Sequence, residues 1–109
     1  MIRVTLLQKD GLLAGFECRG HAGYAPAGED IVCAAVSVLT NTCVNAMETV
    51  AGVTPRVSSG EGRLSMRLRP GDRSGDAQVI LKALRQGLGD IAEQYPEYVS
   101  LSEKIIMEE

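Results

Sequence analysis

The N-terminal stretch alternates. Ile2, Val4 and Leu6 fall on one side of an extended chain and Arg3 and Thr5 on the other, the pattern of a half-buried strand over residues 2 to 8. Lys9-Asp10-Gly11 reads as a turn, and Leu12, Ala14, Phe16 and Cys18 resume the alternation, so a hairpin is predicted with Cys18 a buried thiol on its inward face. Gly20 ends the second strand and Ala22 to Glu29 form a loop of small residues, with Tyr24 its only large side chain. A helix follows from Ile31 to about Ala51, about 30 Å long at 1.5 Å per residue, stopped by Gly52 ahead of Pro55. Ile31, Ala35, Val38, Leu39, Thr42, Ala46 and Val50 mark one of its faces, and Ala34, Cys43 and Met47 leave little of the circumference polar. Such a helix belongs in the centre, covered by the sheet on one side and by another helix or a subunit on the other.

Beyond Pro55 a short strand at Arg56 to Ser58, the turn Gly60-Glu61-Gly62 and the alternating segment RLSMRLR predict a second hairpin. Leu64, Met66 and Leu68 point in; Arg63, Arg67 and Arg69 point out, as a solvated face or as a hold on a peptide or an acidic partner. Pro70, Gly71 and Asp72 break the chain before an amphipathic helix from about Gly75 to Gln94, carried by Ala77, Ile80, Leu81, Leu84, Leu88, Ile91 and Tyr95. Gly87 and Gly89 inside it cost about 1 kcal/mol each against Ala, which close packing on another element would explain. Val99, Leu101 and Ile105 suggest a last strand, and the tail Met107-Glu108-Glu109 is expected to fray. The order ββαββαβ predicts a single α+β domain over residues 1–109, with a mostly antiparallel sheet and both helices on it.

Composition narrows the function. A net charge of -3 with no Trp, one Phe and three Tyr argues against RNA binding through phosphate neutralisation and stacking, so no direct nucleic-acid partner is expected. Three cysteines without a CxxC fit reduced thiols, and with one histidine they match no common zinc spacing; no metal and no cofactor is expected. MIRVTLLQKD has no signal-peptide core, and the apolar helix is interrupted by Ser37, Thr40, Asn41, Asn45 and Glu48, so the expectation is a cytoplasmic protein with no membrane partner.

The chemistry concentrates in GHAGYAPAGEDIVCAAVSV, residues 20 to 38. Asp30 stands where a helix N-cap belongs, and Cys33 then occupies about the third helical position, where the helix end favours thiolate over thiol. His21 lies twelve residues earlier, and a fold-back of the loop brings imidazole and sulfur together as a dyad requires. Ser37, one turn beyond Cys33, either faces the site or bonds within its own helix. From the residues alone a second reading stays open, with Cys33 a small buried hydrophobe and His21 a surface polar group.

GHAGYAPAGEDIVCAAVS resembles the signature of the ribosomal-processing cysteine protease family Prp, and chain length, hairpin opening and helix order fit it too. The resemblance implies a thiol protease with His21 as general base, Cys33 as nucleophile and Asp30 at the acidic position. It also implies a loop, with Gly20, Ala22, Gly23, Tyr24 and Gly28, that reorganises around the substrate, Tyr24 packing on the peptide. The implied partner is a ribosomal protein precursor, whose N-terminal extension is cut after an aromatic pair and before a small residue. The family forms dimers, and the apolar helix fits a homodimer.

The expected chemistry has His21 taking the Cys33 proton, the thiolate attacking a peptide carbonyl, and N–H groups of Cys33 and its helix neighbours meeting the oxyanion. Asp30 either caps the helix or orients His21. Two other classes are distinguishable: a non-catalytic module binding ribosomal protein or assembly factors, indifferent to His21→Ala, and a thiol redox sensor that uses Cys33 without cleaving peptide.

Overall fold

The computed structural model describes residues 1–108 and has the predicted order: β1 (Ile2–Lys9), β2 (Leu12–Arg19), α1 (Ile31–Thr49), β3 (Arg56–Gly60), β4 (Arg63–Arg67), α2 (Asp76–Gln94) and β5 (Val99–Ile105). The strands form one sheet in the order β3-β4-β2-β1-β5. Three of the four pairings are antiparallel, whereas β5 lies parallel to β1, so the sheet is mixed. Inward residues share levels across it: Leu6 pairs with Phe16 and Phe16 with Met66, all at most 1% exposed, so alternation becomes one apolar layer under the helices.

Two departures trace to one irregularity. The β1–β2 register jumps from Leu7 opposite Gly15 to Gln8 opposite Leu13, a bulge at Ala14. Leu12, expected inside, is therefore 41% exposed, and Leu13 is buried in its place. The Gln78 side chain on α2 meets the bulged strand, accepting from the Leu13 N–H (3.0 Å) and donating to its carbonyl (2.6 Å). That satisfies backbone groups which would otherwise be buried unpaired. At the far end Ile105 points to solvent, while Ile106 packs under the sheet's outer side on Leu7 and Ala14.

Helix α1 buries Val32, Val36, Thr40, Cys43 and Met47, with the Thr40 hydroxyl donating back to the Val36 carbonyl. Ile31, Val38 and Val50, on the face picked out by periodicity, are 56%, 64% and 62% exposed. A helix apolar all round gives periodicity no polar side against which to choose. By length and composition α1 would also suit a membrane span. Its seat on the sheet and α2 accounts for part of that apolarity. Gly87 makes the helix contact close, because a Cβ there would lie 2.9 Å from Leu39 Cδ1, whereas Gly89 is not crowded. Gly52 at φ +68 closes α1, and the Val53 N–H bonds the Met47 carbonyl.

The tail is held rather than frayed as far as Glu108. Buried Arg73 donates to the Leu68 carbonyl and to both Glu108 oxygens at 2.5 and 2.6 Å. Glu109 lies outside the described residues.

Candidate active site

His21 leaves the end of β2 through a crowded corner. Gly20 has φ +96, and a Cβ on it would lie 2.4 Å from the Met1 carbonyl oxygen. Its N–H donates to the Gly62 carbonyl at 2.8 Å, which fastens the β3–β4 turn beside the histidine. Gly62 is itself left-handed at φ +66, and a Cβ there would come within 2.9 Å of His21 Nε2. The imidazole thus rests on bare backbone.

Cys33 is the third residue of α1 and half-buried, and its Sγ accepts the Ala22 N–H at 3.3 Å. Asp30 caps the helix: Oδ1 accepts from the Val32 (3.0 Å) and Cys33 (2.9 Å) N–H groups. Oδ2 turns to the loop and accepts from Tyr24 (3.0 Å) and Ala25 (3.4 Å). The Cys33 N–H holds the Asp30 carboxyl below the usual carboxylate range, partial burial opposes this, and the Tyr24 and Ala25 N–H groups reinforce it. One carboxylate therefore organises both helix and loop through backbone donors. The same bonds change the expected oxyanion site, since the Val32 and Cys33 N–H groups are spent on Asp30 and the Ala34 N–H on the Asp30 carbonyl.

Burial first, and the neighbouring Cys33 charge second, push the Cys18 thiol up; burial pushes Cys43 up to about 12. Cys33 is the thiol at hand.

His21, Cys33 and Ser37 line two adjoining hollows. One, about 320 Å³, runs past Gly20, Cys18, Val36 and Leu64 to Arg63; the other, about 640 Å³, is walled by Gly23, Ala25, Ala27, Gly28, Ala34 and Glu61. The Ser37 carbonyl accepts from the Asn41 side chain at 2.8 Å. Ala22 is buried beneath the site. Tyr24 stands apart from both hollows: its ring meets Tyr95 and Tyr98 edge-on, with centroids 5.7 and 5.2 Å away. The turn Glu61-Gly62-Arg63 is the part that sequence reasoning missed. It read as a turn, with nothing to say it lies against His21.

A thiol at a helix start and the chain's one imidazole line the same open two-lobed cleft, an arrangement that suits a cysteine peptidase. The α+β sheet that carries it is that of known structures. The chain belongs to the cysteine protease Prp family, whose profile matches residues 1–100. The ribosomal processing cysteine protease Prp of Bacillus subtilis is 30% identical over 113 residues, covering 97% of this chain and all of the relative. That of Staphylococcus aureus is 31% identical over 106 residues, covering 95% and 100%. Among solved structures, the S. aureus ribosomal processing protease Prp with a covalently linked product peptide superposes at TM-score 0.89, with 30% identity and coverage of 95% and 100%. The SMU.848 protein of Streptococcus mutans superposes at 0.87 with 33% identity, covering 97% and 96%. The chain is a cysteine protease.

Proposed function

We propose that this protease removes the N-terminal extension of a large-subunit ribosomal protein in the cytoplasm, using Cys33 as nucleophile and His21 as base. The observation that carries this is the shared lining: His21 and Cys33 face both hollows, so an extended peptide crossing from one to the other passes over both groups. His21 takes the Cys33 proton, and the Ala22 N–H helps hold the resulting thiolate. Attack forms the C–S bond, the collapsing tetrahedral intermediate expels the amine, which takes its proton from His21, and water cleaves the thioester. With the helix donors already engaged by Asp30, the oxyanion falls to the loop. An N–H that reaches Sγ also lies near a carbonyl bonded to Sγ, and this gives Ala22, with Gly23 next to it, the role first expected of Cys33.

The larger hollow, lined by glycine and alanine, takes the bulky residues before the scissile bond. The homologous S. aureus enzyme has also been crystallised with a substrate peptide, which supports a peptide in this cleft. Exposed Ile31 and Val38 fit a homodimer in which α1 meets a second copy. The test is incubation of the native, Cys33→Ser and His21→Ala proteins with a peptide holding an aromatic-aromatic-alanine junction, read by mass spectrometry. Cleavage at that junction by the native protein alone is expected. Cleavage by a folded Cys33→Ser protein, or none by the reduced native one, would refute the assignment.

A further inference from the structure

The net charge of -3 conceals a segregation that the strand register exposes. On the sheet face away from the helices, Arg3, Arg19 and Arg63 stand side by side on β1, β2 and β4. Four residues along, Arg67 pairs with Arg56, and Lys104 stands beside Leu7 on β5. Glu17, in the level between and bonded to Lys104 at 3.3 Å, is the one acid at these facing positions. Six cations and one carboxylate give this face a balance of +5, so the rest of the chain carries -8.

Like charges directly opposite one another on neighbouring strands destabilise a sheet. Among the described residues, no carboxylate lies within ion-pair distance of the five arginines, since the ion pairs are Arg73–Glu108, Arg85–Glu103 and Lys104–Glu17. Glu108, bonded to Arg73, lies close enough to Arg67 for that charge to lower its carboxyl, and the rest of the field is left for a partner from outside. The level between the arginine rows carries hydroxyls, Thr5, Ser58, Ser65 and Ser102, with Thr5 and Ser102 in contact at 3.4 Å and Ser58 accepting from Arg63, and Ser100 stands beside Arg3 in the first row.

We propose that this outer sheet face docks the phosphate backbone of double-stranded RNA, independently of base sequence. Arginine and hydroxyl side chains are phosphate and ribose ligands, and the broad face of a five-stranded sheet matches the wide, shallow minor groove of the A-form duplex better than it enters the B-form major groove. An acidic protein would satisfy the charge. A protein interface, however, is anchored by apolar or aromatic residues at its centre, and here Leu7 is already buried while all three tyrosines cluster elsewhere. The same lack of aromatics removes stacking, and with it single strands. The inference is independent of the protease reading, since the face lies outside both hollows apart from Arg63 at the rim.

The test is fluorescence anisotropy of a labelled RNA duplex of about 20 base pairs, of arbitrary sequence, titrated at several salt concentrations. Binding in the micromolar range or weaker is expected at physiological salt, with log Kd rising against log salt at a slope of about 3 to 5. Arg3→Gln combined with Arg67→Gln should weaken binding at least about tenfold at low salt and lower that slope by about 2, with peptide cleavage unchanged. The same charge removed from α2 by Lys82→Gln with Arg85→Gln should leave binding intact. Absence of binding, or equal binding by the Arg3/Arg67 variant once circular dichroism shows it folded, overturns the proposal. Equal affinity for a DNA duplex overturns the choice of RNA, and displacement by polyglutamate at equal charge overturns it in favour of an acidic protein partner.

Discussion

Replacing Gly62 by alanine separates backbone strain from disturbance of His21, the proposed base. Two effects superpose. Gly62 sits at φ +66, where an L side chain costs about 1 kcal/mol or slightly more. The added Cβ would also stand 2.9 Å from His21 Nε2, against an ordinary carbon contact of about 3.5 Å or more, so ring or turn must give by roughly half an ångström. The turn is not free to give, because the Gly62 carbonyl is bonded to the Gly20 N–H at 2.8 Å. The imidazole therefore moves. A displacement of about 1 Å costs on the order of a hundredfold in rate, so about half that is expected to cost tenfold or somewhat more in kcat/KM.

The control is Gly11→Ala. Gly11 has φ +78 in the β1–β2 turn and nothing within 4 Å of its Cβ position, so it carries the strain without the contact. Both variants should lose about 1 kcal/mol in urea unfolding, and only Gly62→Ala should lose cleavage of the junction peptide. His21 is the chain's only histidine, so its imidazole proton resonance needs no assignment and should shift in Gly62→Ala alone. Equal activity per folded molecule in the two variants, with an unmoved histidine resonance, would refute the reasoning.

Gln78→Leu should destabilise the fold by about 2 kcal/mol in urea unfolding with the active site intact, since the buried Leu13 N–H and carbonyl lose their partners. The Glu108 carboxyl is held below the ordinary range, first by the Arg73 hydrogen bonds and also by the charges of Arg73, Arg67 and Lys9. A depressed carboxyl stabilises the fold above its unfolded pKa and loses that contribution as pH falls through the folded one. The melting temperature should therefore drop more steeply for the native protein than for Glu108→Gln between about pH 6 and pH 3. Iodoacetamide at about pH 7.5 should modify Cys33 first, with Cys43, buried and pushed up to about 12, unmodified until unfolding; peptide mapping reads the site. Asp30→Asn, which retains one acceptor oxygen, should melt closer to the native protein than Asp30→Ala, for which a fall of about 5 °C is expected by calorimetry.

What the sequence disclosed was set by how local each cause is. Asp30 as cap and Cys33 at the third helical position follow from one turn of chain, and both stand as read. So do the strand faces of Leu6 and Phe16, which need only alternation. Leu12 failed because a bulge is a disagreement between two strands, visible in neither alone. The packing of Tyr24 on Tyr95 and Tyr98, some seventy residues on, was invisible because no signal in the loop announces them, and the contact with peptide that the resemblance implies belongs to the substrate-bound loop. The outer arginine field was equally hidden: RLSMRLR shows a row along β4, but Arg3 and Arg19 join it only through register.

Asp30 is also where sequence posed a conflict that geometry reorganises. A carboxylate beside a thiolate opposes the charge required for attack, yet its two oxygens are saturated by four backbone N–H groups, which spread and offset that charge. Two of those donors belong to the loop, and the next loop donor upstream, from Ala22, reaches the sulfur itself. Cap, loop and thiolate therefore form one hydrogen-bonded unit, latched at its far side by Tyr24 on the α2–β5 corner. On the proposed assignment, a peptide that lifts the loop would break the Tyr24 and Ala25 bonds to Asp30 and release the Ala22 N–H from sulfur at the moment an acyl oxygen arrives to take it. Loop movement and oxyanion stabilisation would then be a single event, which is a physical reason for proposing loop donors while the rigid helix end is already capped.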